Sequence, residues 1–199
     1  MGTNFERLHI MMQARYGLHH EEGISCIGEG IMERMESGNI WVKPFLWLGI
    51  RRKLLFPERG RNIPFVLENH PFQSPDGTSC ISFNAFFYFP ETIRQTKADM
   101  RWDEKQNGIS YALGKKKKLV TSLHLEVDSR GHLLMRSGRL FRLFGESLRL
   151  PAWPGGFAEV EEWYDEREDR FHIRVSIAHP FFGKIYHYEG WFRCRFVFR

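Results

Sequence analysis

Two ionisable side chains fall where a two-residue alternation places apolar ones. The row Leu133, Met135, Ser137 runs on to Arg139, and the row Ala158, Val160, Tyr164 contains Glu162, while the opposite row carries Glu159 and Glu161 and is better left in water. A buried charge without a partner is costly, so the pattern leaves two readings open: a structural Arg139–Glu162 pair, or two anchors for the polar end of a ligand. Around them the rings of Phe83, Phe87, Tyr186, Tyr188 and Phe192 would supply the walls of a largely aromatic cavity. Trp153 belongs to the irregular stretch 144–156, which holds two prolines and no clear strand pattern. Such a loop serves as a lid over a cavity mouth or packs against the end of the sheet.

Other constellations carry less. His19-His20-Glu21-Glu22 offers good metal ligands, but adjacent side chains point apart, whereas helical sites use residues one turn apart and strand sites use alternate ones. The remaining histidines are scattered, with His124, His172 and His187 on the wet faces of strands. The sequence has no Gly-x-Ser-x-Gly elbow, no phosphate-binding loop and no His-Glu-x-x-His helix, and Gly28-x-Gly30 lacks the third glycine of a dinucleotide site. A carboxylate–histidine contact such as Glu162 with His179 has no spacing to support it. No catalytic residue, metal ligand or cofactor is assigned.

The elements that must position these residues follow from periodicity. Phe5, Leu8, Ile10 and Met12 suit a short amphipathic helix before Gly17, lying on the edge of the core. The segment 23–32 reads as an extended strand with glycine breaks. Pro44 opens a second helix that ends before Pro57, with Arg51, Arg52 and Lys53 near its C-terminus, where the helix dipole favours them. Beyond Arg61 come short β-rich runs at 63–68, 80–89, 98–103, 109–113, 119–127, 132–143, 157–164, 171–178 and 185–197. Pro75-Asp76-Gly77, Asn107-Gly108, Asp128-Ser129-Arg130-Gly131 and Pro154-Gly155-Gly156 punctuate them with turn chemistry. Leu119, Thr121, Leu123, Leu125 and Val127 form one dry row, and Tyr186, Tyr188, Gly190, Phe192, Cys194 and Phe196 another. A sheet with one dry face must curl over it or be covered.

Composition sets the class. The 199 residues are 42% hydrophobic and 15% aromatic, enough to close one core without staples, so a single domain over 1–199 is expected, with a helix-strand-helix part at 1–61 and an antiparallel meander at 62–199. The longest apolar run, 44–50, is far short of the roughly 18 to 20 residues of a spanning helix. The start of the sequence lacks an export signal, which reads as cytoplasmic. Cys26, Cys80 and Cys194 are widely spaced and odd in number, expected as reduced, partly buried thiols. The net charge of +5 is dispersed, and the lysine run 115–118 has no aromatic platform beside it, so nucleic acid is not an expected partner. Segment 41–56 combines Trp41, Phe45 and Trp47 with Lys43, Arg51, Arg52 and Lys53, a pattern that fits contact with a membrane surface or a cover for the dry face of the sheet.

From about Tyr16 to Val197 the chain resembles an uncharacterised bacterial domain-of-unknown-function family. The resemblance rests on Gly28-x-Gly30, the aromatic strand 83–89, Leu150-Pro151, Arg170-Phe171, and Pro180-Phe181-Phe182-Gly183 followed by Tyr188-x-Gly190-Trp191. Asn84 stands in the aromatic strand, in the region where members of that family often carry an arginine. The resemblance implies a domain found alone, behind saccharopine-dehydrogenase-like Rossmann modules, or joined to membrane segments, and it implies no activity.

The expected fold is mainly β within the α+β class: a curled antiparallel sheet or barrel of about eight to nine strands with two short N-terminal helices, calycin-like or, alternatively, of the helix-grip kind. The expected function is non-enzymatic binding of a small apolar or amphipathic ligand by Phe83, Phe87, Arg139, Trp153, Glu162, Tyr186, Tyr188 and Phe192. The alternatives are an interaction or accessory domain beside an oxidoreductase or membrane partner, and a helix-grip enzyme.

Overall fold

The computed structural model describes residues 3–38, 43–103, 108–115, 119–143, 149–151 and 157–198. Helices α1 (Thr3–Glu6) and α2 (Ile10–Tyr16) and a 3-10 turn (His20–Glu22) precede strand β1 (Ile24–Ser37), and α3 (Lys43–Arg52) follows it. The remaining strands are β2 (Gly60–Gln73), β3 (Ser79–Phe89), β4 (Thr92–Asp103), β5 (Gly108–Leu113), β6 (Leu119–Val127), β7 (Leu133–Leu143), β8 (Arg149–Pro151), β9 (Phe157–Asp165), β10 (Arg170–His179) and β11 (Gly183–Phe198). Each described pairing is antiparallel, in the order β6-β5-β4-β3-β2-β1-β11-β10-β9-β7-β8, and β6 also pairs with β7. That pairing closes ten strands into a barrel and leaves the three-residue β8 beside β7, outside the ring.

The strand count is one or two above the expected eight to nine, because β1, assigned by the sequence to the N-terminal part, is a full wall strand between β2 and β11. Closure fits a barrel and not the helix-grip alternative, in which an open sheet wraps a long helix; the longest described helix has 10 residues. Irregular segment 144–156 contains one short strand that its sequence does not announce, β8.

Alternation decides what faces inward. Met32, Phe65, Phe87, Leu133, Phe171, Tyr186 and Phe192 belong to one buried cluster, while their sequence neighbours are more exposed, except Ile185 beside Tyr186, which is buried with it where the β10–β11 register shifts. The seam between β1 and β11 is tight. A Cβ on Gly30 would lie 1.9 Å from the Trp191 carbonyl oxygen, and one on Gly190 would lie 2.2 Å from that of Ile31, so only glycine lets these backbones approach.

Each barrel end has its own cover. Helix α2 is capped by the His9 ring, whose Nδ1 accepts the Met11 N–H at 3.2 Å, and it ends where the Gly17 N–H reaches the Gln13 carbonyl at 2.8 Å. Its apolar face, Met12 with Tyr16, continues the row begun by Leu8 and enters the core. His9 stacks on Tyr164 with centroids 4.8 Å apart, which fixes the helix against the β9–β10 end of the barrel. At the other end Phe56 packs on Phe87, Phe89 and Tyr186, with centroids 5.2–5.6 Å apart. Leu46 of α3 is buried while Trp47 is 60% exposed. The helix thus covers the barrel on one side and presents an indole to solvent on the other. Trp41 lies outside the described residues, as does the side chain of Phe45.

Candidate functional site

Glu162 faces inward from β9 opposite Leu133 and Ile173, as alternation predicts, and is 4% exposed. Its cation is Arg15, from α2. The Arg15 guanidinium Nη1 donates to the Glu162 carboxylate, and the Tyr16 hydroxyl donates to the same oxygen at 2.8 Å. Arg15, 1% exposed, also lies over the rings of Tyr16 and Phe192 at 4.9 and 5.0 Å. Burial makes the guanidinium easier to deprotonate, but the Glu162 carboxylate together with Tyr16 and the two cysteines beyond it outweighs burial and holds Arg15 well above its ordinary pKa. Arg15 therefore stays charged, with the Glu162 carboxyl as its counter-group.

The expected partner Arg139 sits elsewhere. It lies in the irregular stretch of β7 between Ser137, opposite Leu123, and Phe141, opposite Thr121, whereas Glu162 is opposite Leu133. The described β7–β9 ladder stops at Arg136, and the side chain of Arg139 lies outside the described residues, as does Trp153 altogether. Alternation could not supply Arg15 as the partner, because the contact spans 147 residues and joins a helix to a strand. Its signal was the spacing: Arg15 and Tyr16 follow Met12 by three and four residues and so extend the buried face of α2. His179 does not meet Glu162. It lies six positions beyond Ile173 on β10, accepting N–H bonds from Phe181 and Phe182 at 3.1 and 3.4 Å.

The aromatic residues divide into two groups. Phe87, Tyr186 and Phe192 are packed solid: Phe192 stacks on Phe171 at 5.2 Å, Phe87 on Phe65 at 6.0 Å, and the Tyr186 hydroxyl donates to the Glu58 carbonyl at 3.3 Å. Phe83 and Tyr188 also point inward but keep accessible surface, as does Tyr111 on β5, which sequence reasoning did not single out. Phe83 meets Tyr16 and Tyr111 at 6.3 and 6.4 Å, and Tyr188 meets Phe87 and Tyr186, both at 5.9 Å. Tyr111 and Tyr188 both pack against the buried cluster while keeping part of their accessible surface. Burial first, and then neighbouring charge that includes Glu162, pushes both phenols well above their ordinary range and keeps them neutral donors.

A groove of about 310 Å³ lies between α1 and the β5–β6 part of the wall. Among the described residues the β5–β6 ladder ends at Ile109 opposite Leu123. Leu123, Leu125 and Val127 line the groove there with Phe5, Leu8 and Trp102. Its volume is at the lower end of small-molecule pockets.

The sulfur atoms of Cys26 on β1 and Cys194 on β11 lie 2.8 Å apart. Spacing along the chain could not show this, because the contact depends on the β1–β11 register, with Cys26 opposite Phe196 and Cys194 opposite Gly28.

Residues 8–192 match a protein family described as a domain of unknown function, DUF4166. The chain is also similar to the uncharacterized protein YndH of Bacillus subtilis (strain 168), at 33% identity over 191 residues, which covers 96% of this chain and 92% of that protein.

Proposed function

Because the chain belongs to the DUF4166 family, whose description assigns no activity, we propose its function from the barrel itself: it binds a small, uncharged amphipathic molecule inside the sheet. The observation that carries this reading is the accessible surface kept by the inward-facing Phe83, Tyr111 and Tyr188. An interior filled only by protein would bury those rings as completely as it buries Phe87 and Phe192.

The electrostatics select the ligand class. The Arg15–Glu162 pair already neutralises itself, so a charged ligand head would enter a low-dielectric interior without a counter-ion. Neutral phenols at Tyr111 and Tyr188 instead suit a hydroxyl or carbonyl head, while Phe83 and the aliphatic groove residues suit a hydrocarbon tail. The ligand enters past Leu123 and Leu125, which line the groove. The fusions implied by the family resemblance would set this barrel beside an oxidoreductase or a bilayer; Trp47 on α3 is the exposed indole for contact with such a surface. No helix among the described residues is long and apolar enough to cross a membrane.

The test is a titration of the full chain with the uncharged fluorescent probe N-phenyl-1-naphthylamine, followed by competition with a monoacylglycerol and with the fatty acid of the same chain length. Saturable binding, displacement by the monoacylglycerol ahead of the fatty acid, and at least roughly tenfold weaker binding after Leu123→Trp fills the groove are expected. Absence of saturable binding, together with a native mass equal to that of the bare chain, overturns the reading.

A further inference from the structure

We propose that Cys26 and Cys194 form a redox-active pair that hydrogen peroxide oxidises to an intramolecular disulfide, covalently joining β1 to β11. The inference is independent of the ligand reading, since it rests on the seam and not on the hollow.

Geometry comes first. The two sulfurs are 2.8 Å apart, well inside the sum of two sulfur van der Waals radii and closer to a bond than to a packing contact. They sit on hydrogen-bonded neighbouring strands in diagonal positions, where the register is held by the ladder from Ile24–Phe198 to Met32–Gly190. Forming the bond therefore requires no strand to slide. The two residues also differ in access: Cys26 is 1% exposed, whereas Cys194 is half-buried and open to a small oxidant. The third thiol, Cys80, lies on β3, two strands from β1, and its nearest described partner is the Thr78 carbonyl.

The surroundings favour one thiolate. The hydrogen bond between the sulfurs, helped by the Arg15 guanidinium and opposed by burial, holds Cys26 below the ordinary thiol range. The same contact, with burial, pushes Cys194 up. Arg15 thus faces both Glu162 and the sulfur pair.

The chemistry balances with peroxide as the two-electron oxidant. The Cys26 thiolate accepts the Cys194 proton as the Cys194 sulfur attacks one peroxide oxygen. A sulfur–oxygen bond forms, the oxygen–oxygen bond breaks, and the departing hydroxide takes up from solvent the proton that Cys26 released on ionising, giving the first water. Cys26 sulfur then attacks the sulfenic sulfur of Cys194, forming the disulfide and breaking the sulfur–oxygen bond, and the Cys26 proton leaves with the second water. Two thiols and one peroxide give one disulfide and two waters.

The experiment treats the reduced full chain with hydrogen peroxide, alkylates free thiols under denaturing conditions, and maps the digest by mass spectrometry. The expected result is a monomer lighter by two hydrogens, a linked Cys26–Cys194 peptide, an alkylated Cys80, a raised melting midpoint, and full reversal by dithiothreitol. In a Cys26→Ser variant the sulfenic acid has no second thiol to attack it, so dimedone labels Cys194. A linkage through Cys80, a covalent dimer, or accumulation of Cys194 sulfinic acid with Cys26 still free overturns the proposal. The wild-type map alone decides this, whether or not the variant folds.

Discussion

Replacing Arg15 by methionine tests the centre of the interior most directly. The substitution keeps a long apolar stem over Phe192 but leaves the Glu162 carboxylate at 4% exposure with only the Tyr16 hydroxyl as a described partner. Removing one member of a buried pair costs about 3–5 kcal/mol, because the remaining charge has lost both water and counter-ion. Folded domains hold about 5–15 kcal/mol in total, so much of the stability is at stake. With a urea dependence of about 3 kcal/mol per molar for a chain of this size, the unfolding midpoint falls by about 1 to 1.7 M. The control is the triple variant Arg15→Met, Tyr16→Phe, Glu162→Leu, which removes the charge and both donors together. Replacing a buried ionic group by apolar residues of similar volume is close to neutral, so the triple variant recovers to within about 1 kcal/mol of wild type. Equilibrium urea unfolding followed by tryptophan fluorescence reads all three proteins. If the triple variant is as unstable as the single one, packing rather than charge compensation governs this site and the electrostatic account fails.

Three more outcomes follow from particular contacts. Gly30→Ala forces a Cβ against the Trp191 carbonyl and the Phe192 backbone, so a loss of about 1–3 kcal/mol or more is expected in the same unfolding assay, and an unchanged midpoint would refute the tight seam. Phe87→Ala empties a site packed by Phe56, Phe65 and Tyr188 and is expected to lower stability by about 3–5 kcal/mol in thermal or urea unfolding. Asp128 pays a burial cost, but the backbone N–H groups of His132 and Arg130 donate to its carboxylate and hold its pKa down to about 2. Its folded value lies below the unfolded one of about 3.9, so its contribution is present above that value and is lost as pH falls through about 2. Asp128→Asn therefore weakens the protein at neutral pH, and the gap to wild type narrows with acidification in a pH series of urea midpoints.

Legibility in the sequence followed the range of the forces involved. Two-residue alternation is a local signal, and it placed Glu162, Phe192 and Tyr188 on the inner face and the runs 119–127, 157–164 and 185–197 close to their observed bounds, while β2 and β4 extend five or six residues beyond the expected runs. Alternation carries no information about which strand lies opposite which. The closing β6–β7 ladder, the place of β1 between β2 and β11, and the Cys26–Cys194 contact all come from long-range register. Arg15 was obscured for a different reason. A basic residue in the last turn of a short helix usually lies in water next to the negative end of the dipole, and here the barrel mouth receives it instead. Tyr111 was overlooked because β5 is only six residues long and offers a short pattern to read.

The β1–β11 seam has a kinetic consequence. Ile24 is hydrogen-bonded opposite Phe198, so the earliest strand made waits for the latest. During synthesis β1 can take β2 on one side as soon as that hairpin leaves the ribosome, but its other edge stays unpaired until β11 emerges. An exposed edge of this kind can recruit another chain, and the entropy lost in joining such distant segments slows the final step. A circular permutant that links position 198 to position 3, so that α1 and α2 are kept, and opens the β3–β4 turn would bring β11 and β1 close together along the chain and shift the waiting edge elsewhere in the ring.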